Sequence, residues 1–209
     1  MKAHIVRQGD YLDRIAHALG FDAESVWSAP ENADLARRRE PSLLHPGDIL
    51  FVPDSEPARL RLRGASSNRY LARVPLTTVR LAFRGPDGAL ANEPCVIEGL
   101  GAPRERRTDG EGWLVLDVPV TTRECRVSFP RLHTTYPVLI GHMDPMEEAS
   151  GVRKRLQHLG YWREAPGSTA DPETLDRLAL ITFQLHHGLP GTGEMDDATS
   201  RALSEEHDG

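Results

Sequence analysis

The chain contains few cysteines, few aromatic residues and no long apolar run. Two cysteines among 209 residues, Cys95 and Cys125, are too few for a disulfide scaffold and lack the spacing of a zinc site. No apolar stretch reaches the about 18 residues of a membrane helix, and the start MKAHIVRQGD lacks the apolar core of a secretory signal. We therefore expect no membrane insertion.

Motifs of catalysis are also missing. The sequence has no Gly-x-Ser-x-Gly turn, no glycine-rich phosphate loop and no His-x-x-x-His pair. His133 and His142 lie too far apart to chelate by themselves, and the adjacent His186 and His187 should point to different sides of a helix. We predict no catalytic residue, no metal site and no cofactor. A metal site built from distant residues is the alternative.

The charges are unevenly distributed along the chain. Residues 1–55 carry 6 basic and 9 acidic groups, residues 56–140 carry 13 and 9, and residues 141–209 carry 6 and 13. Nucleic-acid binding needs clustered Lys and Arg that displace phosphate counterions. A weakly basic middle between acidic ends therefore argues against a nucleic-acid partner.

The last third of the chain has the pattern of three helices. Val152, Leu156 and Leu159 share one face after a capping Ser150, and Gly160 follows as a stop signal. A second helix begins near Pro172 with a four-residue repeat of Leu175, Ala179 and Phe183, and it ends at Gly188. A third helix begins near Asp196 or Asp197 and should bury Ala198 and Leu203.

The order of these motifs, Leu-Gln-x-Leu-Gly-Tyr, then Ala-x-x-x-Phe-Gln, then Asp-x-x-Thr-x-x-x-Leu, resembles the peptidoglycan-binding domain of many cell-wall hydrolases. The resemblance implies a shallow groove near the helix ends. By position it implies ligand contacts from Tyr161, Trp162, Asp171 and Thr174. Tyr161 and Trp162 are equally consistent with a hydrophobic lid on the bundle.

The first 54 residues combine two short strands with a helix. His4 to Arg7 precede a turn at Gly9, Asp10 should cap a helix, and Leu44 to Pro53 form a Pro-Gly turn and a second strand. This segment resembles a LysM module, because it has a strand, a Gly-Asp pair and a helix, followed by Leu-x-Pro-Gly-x-x-Leu-x-Val-Pro. The resemblance implies glycan contacts from Gly9, Asp10, Tyr11 and Leu12 on one rim and Asn32 on the other. Tyr11 stands where the family has a small threonine, and it would either stack on a sugar or close the groove.

The middle of the chain alternates with a period of two residues. Val79, Leu81 and Phe83 alternate with polar residues, and later segments place Cys95, Cys125 and Phe129 on inward faces. Short strands with turns about every ten residues predict an antiparallel sandwich. The Asp-Gly-x-Leu-x-Asn-x-Pro and Arg-Thr-Asp-Gly-x-Gly motifs resemble transthyretin-like or Cna-B-like sandwich domains, which mostly act as spacers. Both cysteines should be buried hydrophobes, and a disulfide between them is the alternative.

We therefore predict an α+β multidomain chain. It consists of a small βααβ LysM-like domain at 1–55, a linker and first strand at 56–75, an antiparallel β-sandwich at 76–141, and a three-helix bundle at 142–209. The predicted function is non-catalytic binding to the cell wall through both ends, with the peptidoglycan glycan or stem peptide as partner.

The alternative is an accessory component of a contractile injection, type VI secretion or phage-tail-like machine. Such chains resemble proteins associated with these machines, and the partners would be spike, tube or baseplate proteins. A third reading is a wall hydrolase with a distributed metal site, whose activity a chelator would abolish. We expect synthesis in the cytoplasm without a signal peptide, with action in the periplasm or wall by a non-standard export route or on an injection machine.

Overall fold

A computed structural model describes residues 1–54, 67, 74–85, 88–163, 169 and 171–207. The fold is α+β, with antiparallel strands and a helical C-terminal part, as predicted. The chain divides into two compact units, Met1–His142 and Met143–Gly209. The strand expected at 70–74, most of the linker, and the turn residues Pro86 and Asp87 lie outside the described residues.

The first 54 residues form a two-stranded sheet that packs on three short helices. The elements are β1 (Lys2–Ile5), α1 (Leu12–Leu19), α2 (Ala23–Trp27), α3 (Ala33–Ala36) and β2 (Ile49–Val52). Strands β1 and β2 are antiparallel, and Ile15, Val26, Leu35 and Leu50 are buried together beneath them. Gly20 ends α1 in the left-handed conformation, at φ 75°.

The cap predicted at the start of α1 is wrong. Tyr11 occupies the N-cap position without a side-chain hydrogen bond. The Asp10 carboxylate instead accepts a hydrogen bond from the backbone N–H of Arg7, at 3.0 Å, and so stabilises the preceding turn.

Eight strands follow, and the longer ones surround one core. They are β3 (Leu76–Ala82), β4 (Arg84–Gly85), β5 (Gly88–Ala89), β6 (Pro94–Glu98), β7 (Arg104–Arg107), β8 (Trp113–Pro119), β9 (Glu124–Phe129) and β10 (Thr134–Leu139). One sheet has the order β10-β9-β6-β7, β3 pairs with β8, and the short β4 pairs with β5. Ile97, Leu116, Val127 and Phe129 come from both larger sheets and share a single buried cluster.

The alternative of a disulfide is excluded by strand register. Cys95 and Cys125 are free and buried, as predicted. Ile97 pairs with Val127 across β6 and β9, so the two cysteines lie four positions apart along the ladder. At about 3.3 Å per residue, this offset exceeds the Cα separation of about 4.4–6.8 Å that a disulfide allows.

The C-terminal unit contains the three predicted helices: α4 (Ala149–His158), α5 (Pro172–His186) and α6 (Asp197–His207). Leu156, Leu180, Phe183 and Leu203 form its core. Two local predictions are wrong. Helix α4 starts one residue before Ser150, with Glu148 in the N-cap position, and α6 buries Thr199 rather than the exposed Ala198.

Among the described residues, none of the helices has the length and hydrophobicity that crossing a bilayer requires.

Candidate functional site

Tyr11 is a packing residue in this structure. Its side chain is 5 % exposed, and it belongs to the buried cluster formed by the strands β3 to β10. The Tyr11 hydroxyl donates a hydrogen bond to the carbonyl of Val120 at 3.2 Å, and burial raises the pKa of Tyr11. Of the two readings of Tyr11, the buried ring is consistent with a closed groove, and contact with a glycan stays a prediction.

Arg14 fixes the same contact. Its Nε donates to the Val120 carbonyl at 2.9 Å, and its Nη1 donates to the Ile140 carbonyl at 3.2 Å. Further hydrogen bonds reach the carbonyls of Gly9 and Thr122. The guanidinium lies 4.7 Å from the centre of the Tyr11 ring. Residue type and spacing gave no indication of this role, because Arg14 occupies an ordinary position on an amphipathic helix.

The remaining N-terminal candidates also have internal roles. Gly9 is buried at φ 87°, and a β-carbon there would lie 3.1 Å from Nε2 of His142. Leu12 is buried in the core below β1 and β2, and Asp10 forms the turn described above. Gly9, Tyr11 and Leu12 are buried and Asp10 is half-buried, so these four residues form a packed turn, and their predicted contacts with a glycan stay a prediction.

Asn32 joins two parts of the N-terminal fold. It is completely buried, and its Nδ2 donates to the carbonyls of Val26 at 2.7 Å and Phe51 at 2.8 Å. Its Oδ1 accepts the backbone N–H of Phe51 at 2.7 Å. All of these bonds hold β2 against the helices. A ligand could reach Asn32 only after this clamp had opened, so we read Asn32 as structural.

In the C-terminal unit, Trp162 lies on a charged network. Its Nε1 donates to Oδ1 of Asp176 at 2.8 Å, and Nε of Arg153 donates to the same oxygen at 2.6 Å. A second Arg153 nitrogen bonds the other carboxylate oxygen, and this pairing raises the pKa of Arg153. Trp162 is half-buried. Because its only donor is satisfied inside the protein, the exposed part of the indole presents an apolar face.

Tyr161 packs against the C-terminal end of α5. Its ring packs edge-on against Phe183, with 5.2 Å between ring centres, and its hydroxyl is hydrogen-bonded to Nδ1 of His186. The two aromatic side chains therefore diverge along α5, because one contacts its second turn and the other its last. Their partners agree with the lid reading, while both side chains stay half-exposed.

Asp171 and Thr174 form the start of α5. The Asp171 carboxylate accepts the backbone N–H of Thr174 at 2.9 Å and the Thr174 hydroxyl at 2.7 Å. The hydroxyl and the N–H of Thr174 both lower the pKa of Asp171. Both residues are exposed, and Thr174 lies two positions before Asp176, the partner of Trp162. Trp162, Asp171 and Thr174 therefore keep accessible surface, and Trp162 contacts the first half of α5, which Asp171 and Thr174 begin.

A buried Gln184 network supports this unit and was missed from the sequence. The Gln184 amide donates to the Glu194 carbonyl at 2.9 Å and to the Thr199 hydroxyl at 3.0 Å, and its oxygen accepts the N–H of Gly193 at 2.9 Å. The Ala-x-x-x-Phe-Gln motif included Gln184. Its partners lie 9 to 15 positions away, so periodicity alone does not reveal them.

Each histidine of the C-terminal unit contacts a polar or aromatic side chain. His186 contacts Tyr161, whereas Nε2 of His187 lies 2.7 Å from a carboxylate oxygen of Glu206, so the adjacent histidines do face different partners. His158 and His207 are joined by a 3.0 Å contact between ring nitrogens. In the described part of the chain, no group of three or more His, Cys, Asp or Glu side chains is arranged to hold a metal ion.

Comparison with known proteins gives one family. Residues 146–203 match the family described as "Putative peptidoglycan binding domain", and the matched segment covers most of the three-helix unit. Neither a curated protein nor a solved structure matches the chain. The match confirms the resemblance found for the C-terminal segment, and the matched family is a binding domain, not a catalytic one. Residues 146–203 are therefore similar to the peptidoglycan-binding domain, which supports a role in binding the cell wall.

Proposed function

We propose that the chain is a non-catalytic cell-wall-binding protein that contacts peptidoglycan through its C-terminal unit. The observation that carries this proposal is the family match over residues 146–203. The contact surface consists of Trp162 and the start of α5 with Asp171 and Thr174. The ligand is the glycan or the stem peptide, and the site of action is the wall.

Trp162 is the central contact in this proposal. An indole whose N–H is already bonded to Asp176 keeps an apolar ring face, which suits the C–H face of a sugar or a small aliphatic side chain. The surrounding chain is acidic, with 13 acidic and 6 basic groups over residues 141–209. Attraction to a wall polyanion would therefore be weak, and stacking and hydrogen bonding would dominate. Such binding should change little with salt.

Sedimentation with insoluble peptidoglycan tests the proposal. The protein should sediment with the wall at both low and moderate salt, and Trp162→Ala should reduce the bound fraction strongly. Trp162→Phe keeps an aromatic ring but removes the donor to Asp176, so it separates stacking from support by the network. Trp113→Phe is the matched control, because Trp113 lies in the other unit beneath the Arg80 guanidinium.

Two results would contradict the proposal. Failure of the protein to sediment at either salt concentration would remove wall binding itself. Undiminished sedimentation of a folded Trp162→Ala protein would remove the proposed surface and leave the wall contact elsewhere on the unit.

One observation favours a docking role as the second candidate for residues 1–142. The residues that the LysM resemblance places in a glycan groove are used for internal packing. A module whose groove is occupied in this way suits a structural or adaptor role, such as docking on an injection machine. Affinity purification from the native host tests this candidate. Recovery of spike, tube or baseplate proteins would support it, and recovery of wall fragments alone would argue against it.

A further inference from the structure

We propose that a cleft between β7 and β8 binds a small aliphatic carboxylate. The cleft has a volume of about 160 Å³ and is lined by Ile97, Leu100, Arg104, Arg106, Val115, Leu116 and Asp117. It lies in the unit Met1–His142, outside the segment similar to the peptidoglycan-binding domain. The inference therefore does not depend on wall binding by the C-terminal unit.

The two arginines face the inner side of the sheet. Arg106 pairs with Cys95 and Arg104 pairs with Ile97 across β6 and β7. Directly paired residues lie on the same face of a sheet, and Cys95 and Ile97 are both buried in the core. Both guanidiniums therefore approach the cleft from the same wall, whereas Glu105 and Arg107 alternate to the opposite face.

Neither guanidinium is neutralised by a carboxylate of the described residues. Arg104 donates to the Leu100 carbonyl at 3.3 Å, and Arg106 donates to the Glu105 carbonyl at 3.1 Å. Asp117 also lines the cleft, but it alternates with the buried Leu116 along β8, so its side chain lies on the opposite face of the strand, where its Oδ1 accepts the hydroxyl of Thr78 of β3 at 2.8 Å. Two forked donors thus share one opening, and a planar carboxylate is the group that such forks bind best.

The apolar residues at the bottom of the cleft limit the size and polarity of the part of the ligand that is attached to the carboxylate. Ile97, Leu100 and Leu116 are buried apolar residues. A cavity of about 150 Å³ accommodates a molecule the size of benzene, so the cleft suits about six heavy atoms. Butyrate has this size and combines one carboxylate with a short aliphatic chain. The C-terminal residue of a peptide presents the same chemistry.

Protection of a sheet edge is the competing explanation for the arginines. Strand β7 is the outer strand of its sheet, and charged residues on edge strands hinder unwanted pairing with other chains. Edge protection requires only charge and predicts no saturable ligand. Binding of a carboxylate in preference to a neutral molecule of the same shape separates the two explanations.

The experiment follows the backbone amide signals of the full-length protein by NMR during titration with butyrate. We expect saturable shifts at Leu116, Val115 and Arg106, with a dissociation constant in the millimolar range, and no such shifts with butyramide. Arg104→Gln and Arg106→Gln should each weaken binding about tenfold, which is the loss of one charge-assisted contact. Arg106→Lys keeps the charge but loses the fork and should also weaken binding.

Arg107→Gln is the matched control, because it removes the same charge from the same strand on the opposite face. It should leave the butyrate affinity unchanged. Since Arg104 also bonds Leu100, thermal unfolding of each variant establishes that the fold is retained. The Arg106 variants keep the proposal testable if Arg104→Gln does not fold.

Further titrations identify the source of the carboxylate. Tighter binding of N-acetylalanine than of butyrate would indicate a peptide C-terminus, and the reverse order would indicate a free carboxylate. Either result supports the cleft as a carboxylate site. The proposal is overturned if butyramide binds as well as butyrate, if inorganic phosphate binds more tightly than butyrate, or if Arg107→Gln weakens binding as much as Arg106→Gln.

Discussion

At the scale of single residues, Arg14 makes a concentrated set of polar contacts. It is 7 % exposed, and it donates hydrogen bonds to the carbonyls of Val120, Ile140, Thr122 and Gly9. Burial lowers the pKa of Arg14, and the neighbouring Tyr11 opposes that shift. The cost of burying this charge is offset by the carbonyl oxygens that surround it.

Replacement of Arg14 should therefore destabilise the N-terminal unit. Arg14→Met leaves several buried carbonyls without a donor, and we expect a loss of about 2–4 kcal/mol in the free energy of unfolding. Chemical denaturation measures this loss. Arg37→Met is the control, since Arg37 forms an exposed pair with Asp34 and should change the stability by less than about 0.5 kcal/mol. Equal effects of the two substitutions would contradict the role given to Arg14.

Gly151 occupies a position that has no room for a side chain. It is buried in the first turn of α4, where a β-carbon would lie 1.9 Å from the carbonyl oxygen of Pro145 and 2.7 Å from that of Asp144. Backbone atoms cannot move aside as a flexible side chain can. Gly151→Ala should therefore destabilise the C-terminal unit by about 3 kcal/mol or more. The control is Gly110→Ala, because nothing lies within 4 Å of a β-carbon there. Thermal unfolding should show a much larger decrease for Gly151→Ala.

At the scale of elements, the helices and strands were predictable where a local rule governs them. The starts predicted near Pro172 and near Asp196 or Asp197 are confirmed, and Asp171 and Asp196 cap α5 and α6 by accepting the backbone N–H groups of Thr174 and Thr199. Asp10 and Ser150 are also residue types that favour the N-cap position, but neither of them caps a helix. Tyr11 and Glu148 occupy these two N-cap positions without a side-chain hydrogen bond, so the residue type alone did not reveal where the helices begin.

Two histidines form a contact between the ends of α4 and α6. Nδ1 of His158 and Nε2 of His207 are 3.0 Å apart, so one of them must lack a proton for a hydrogen bond to form. Desolvation by burial lowers the pKa of His158, and His207 of α6 with Arg155 and Lys154 of α4 adds repulsion. Protonation of both rings would place two N–H groups against each other.

We therefore expect acid to weaken this contact. The folded pKa of His158 lies below the ordinary value of 6.5, so the unfolded chain takes up a proton first as the pH falls. The stabilising contribution is complete above about pH 6.5 and is lost as the pH drops from there through the folded pKa. NMR titration of the His158 ring should give a midpoint below that of a histidine peptide. His207→Gln should raise this midpoint, and a wild-type midpoint at or above 6.5 would contradict the prediction.

At the scale of the whole molecule, the sequence indicated the C-terminal unit better than the N-terminal binding surface. The C-terminal motifs lie on the helices that make up the core, and the family match covers them. The N-terminal motif Gly9 to Leu12 was predicted to form one rim of a groove, but its packing depends on Val120, Thr122 and Ile140, more than 100 positions away. A local motif specifies the turn itself and cannot specify what packs against it.

The same long-range contacts predict that residues 1–54 are not self-sufficient. Within the unit Met1–His142, the Tyr11 ring belongs to the core of the strands, and a β-carbon at Gly141 would lie 2.7 Å from the carbonyl oxygen of Gly9. An isolated 1–54 fragment exposes Tyr11 and leaves Arg14 with only the Gly9 carbonyl among its four partners. It should therefore unfold at a lower denaturant concentration than the same residues within a 1–142 fragment.

The fluorescence of Trp27, the only tryptophan of 1–54, reports unfolding of the short fragment, and amide exchange in α1 compares both fragments at the same positions. Arg14→Met provides the internal control. It should cost its full 2–4 kcal/mol or so in 1–142 but much less in 1–54, where most of its partners are already gone. That difference is a coupling energy between the helix and the strands. Equal costs in both fragments would show that Arg14 acts within residues 1–54 alone, and the N-terminal module would then be independent of the strands that cover its groove.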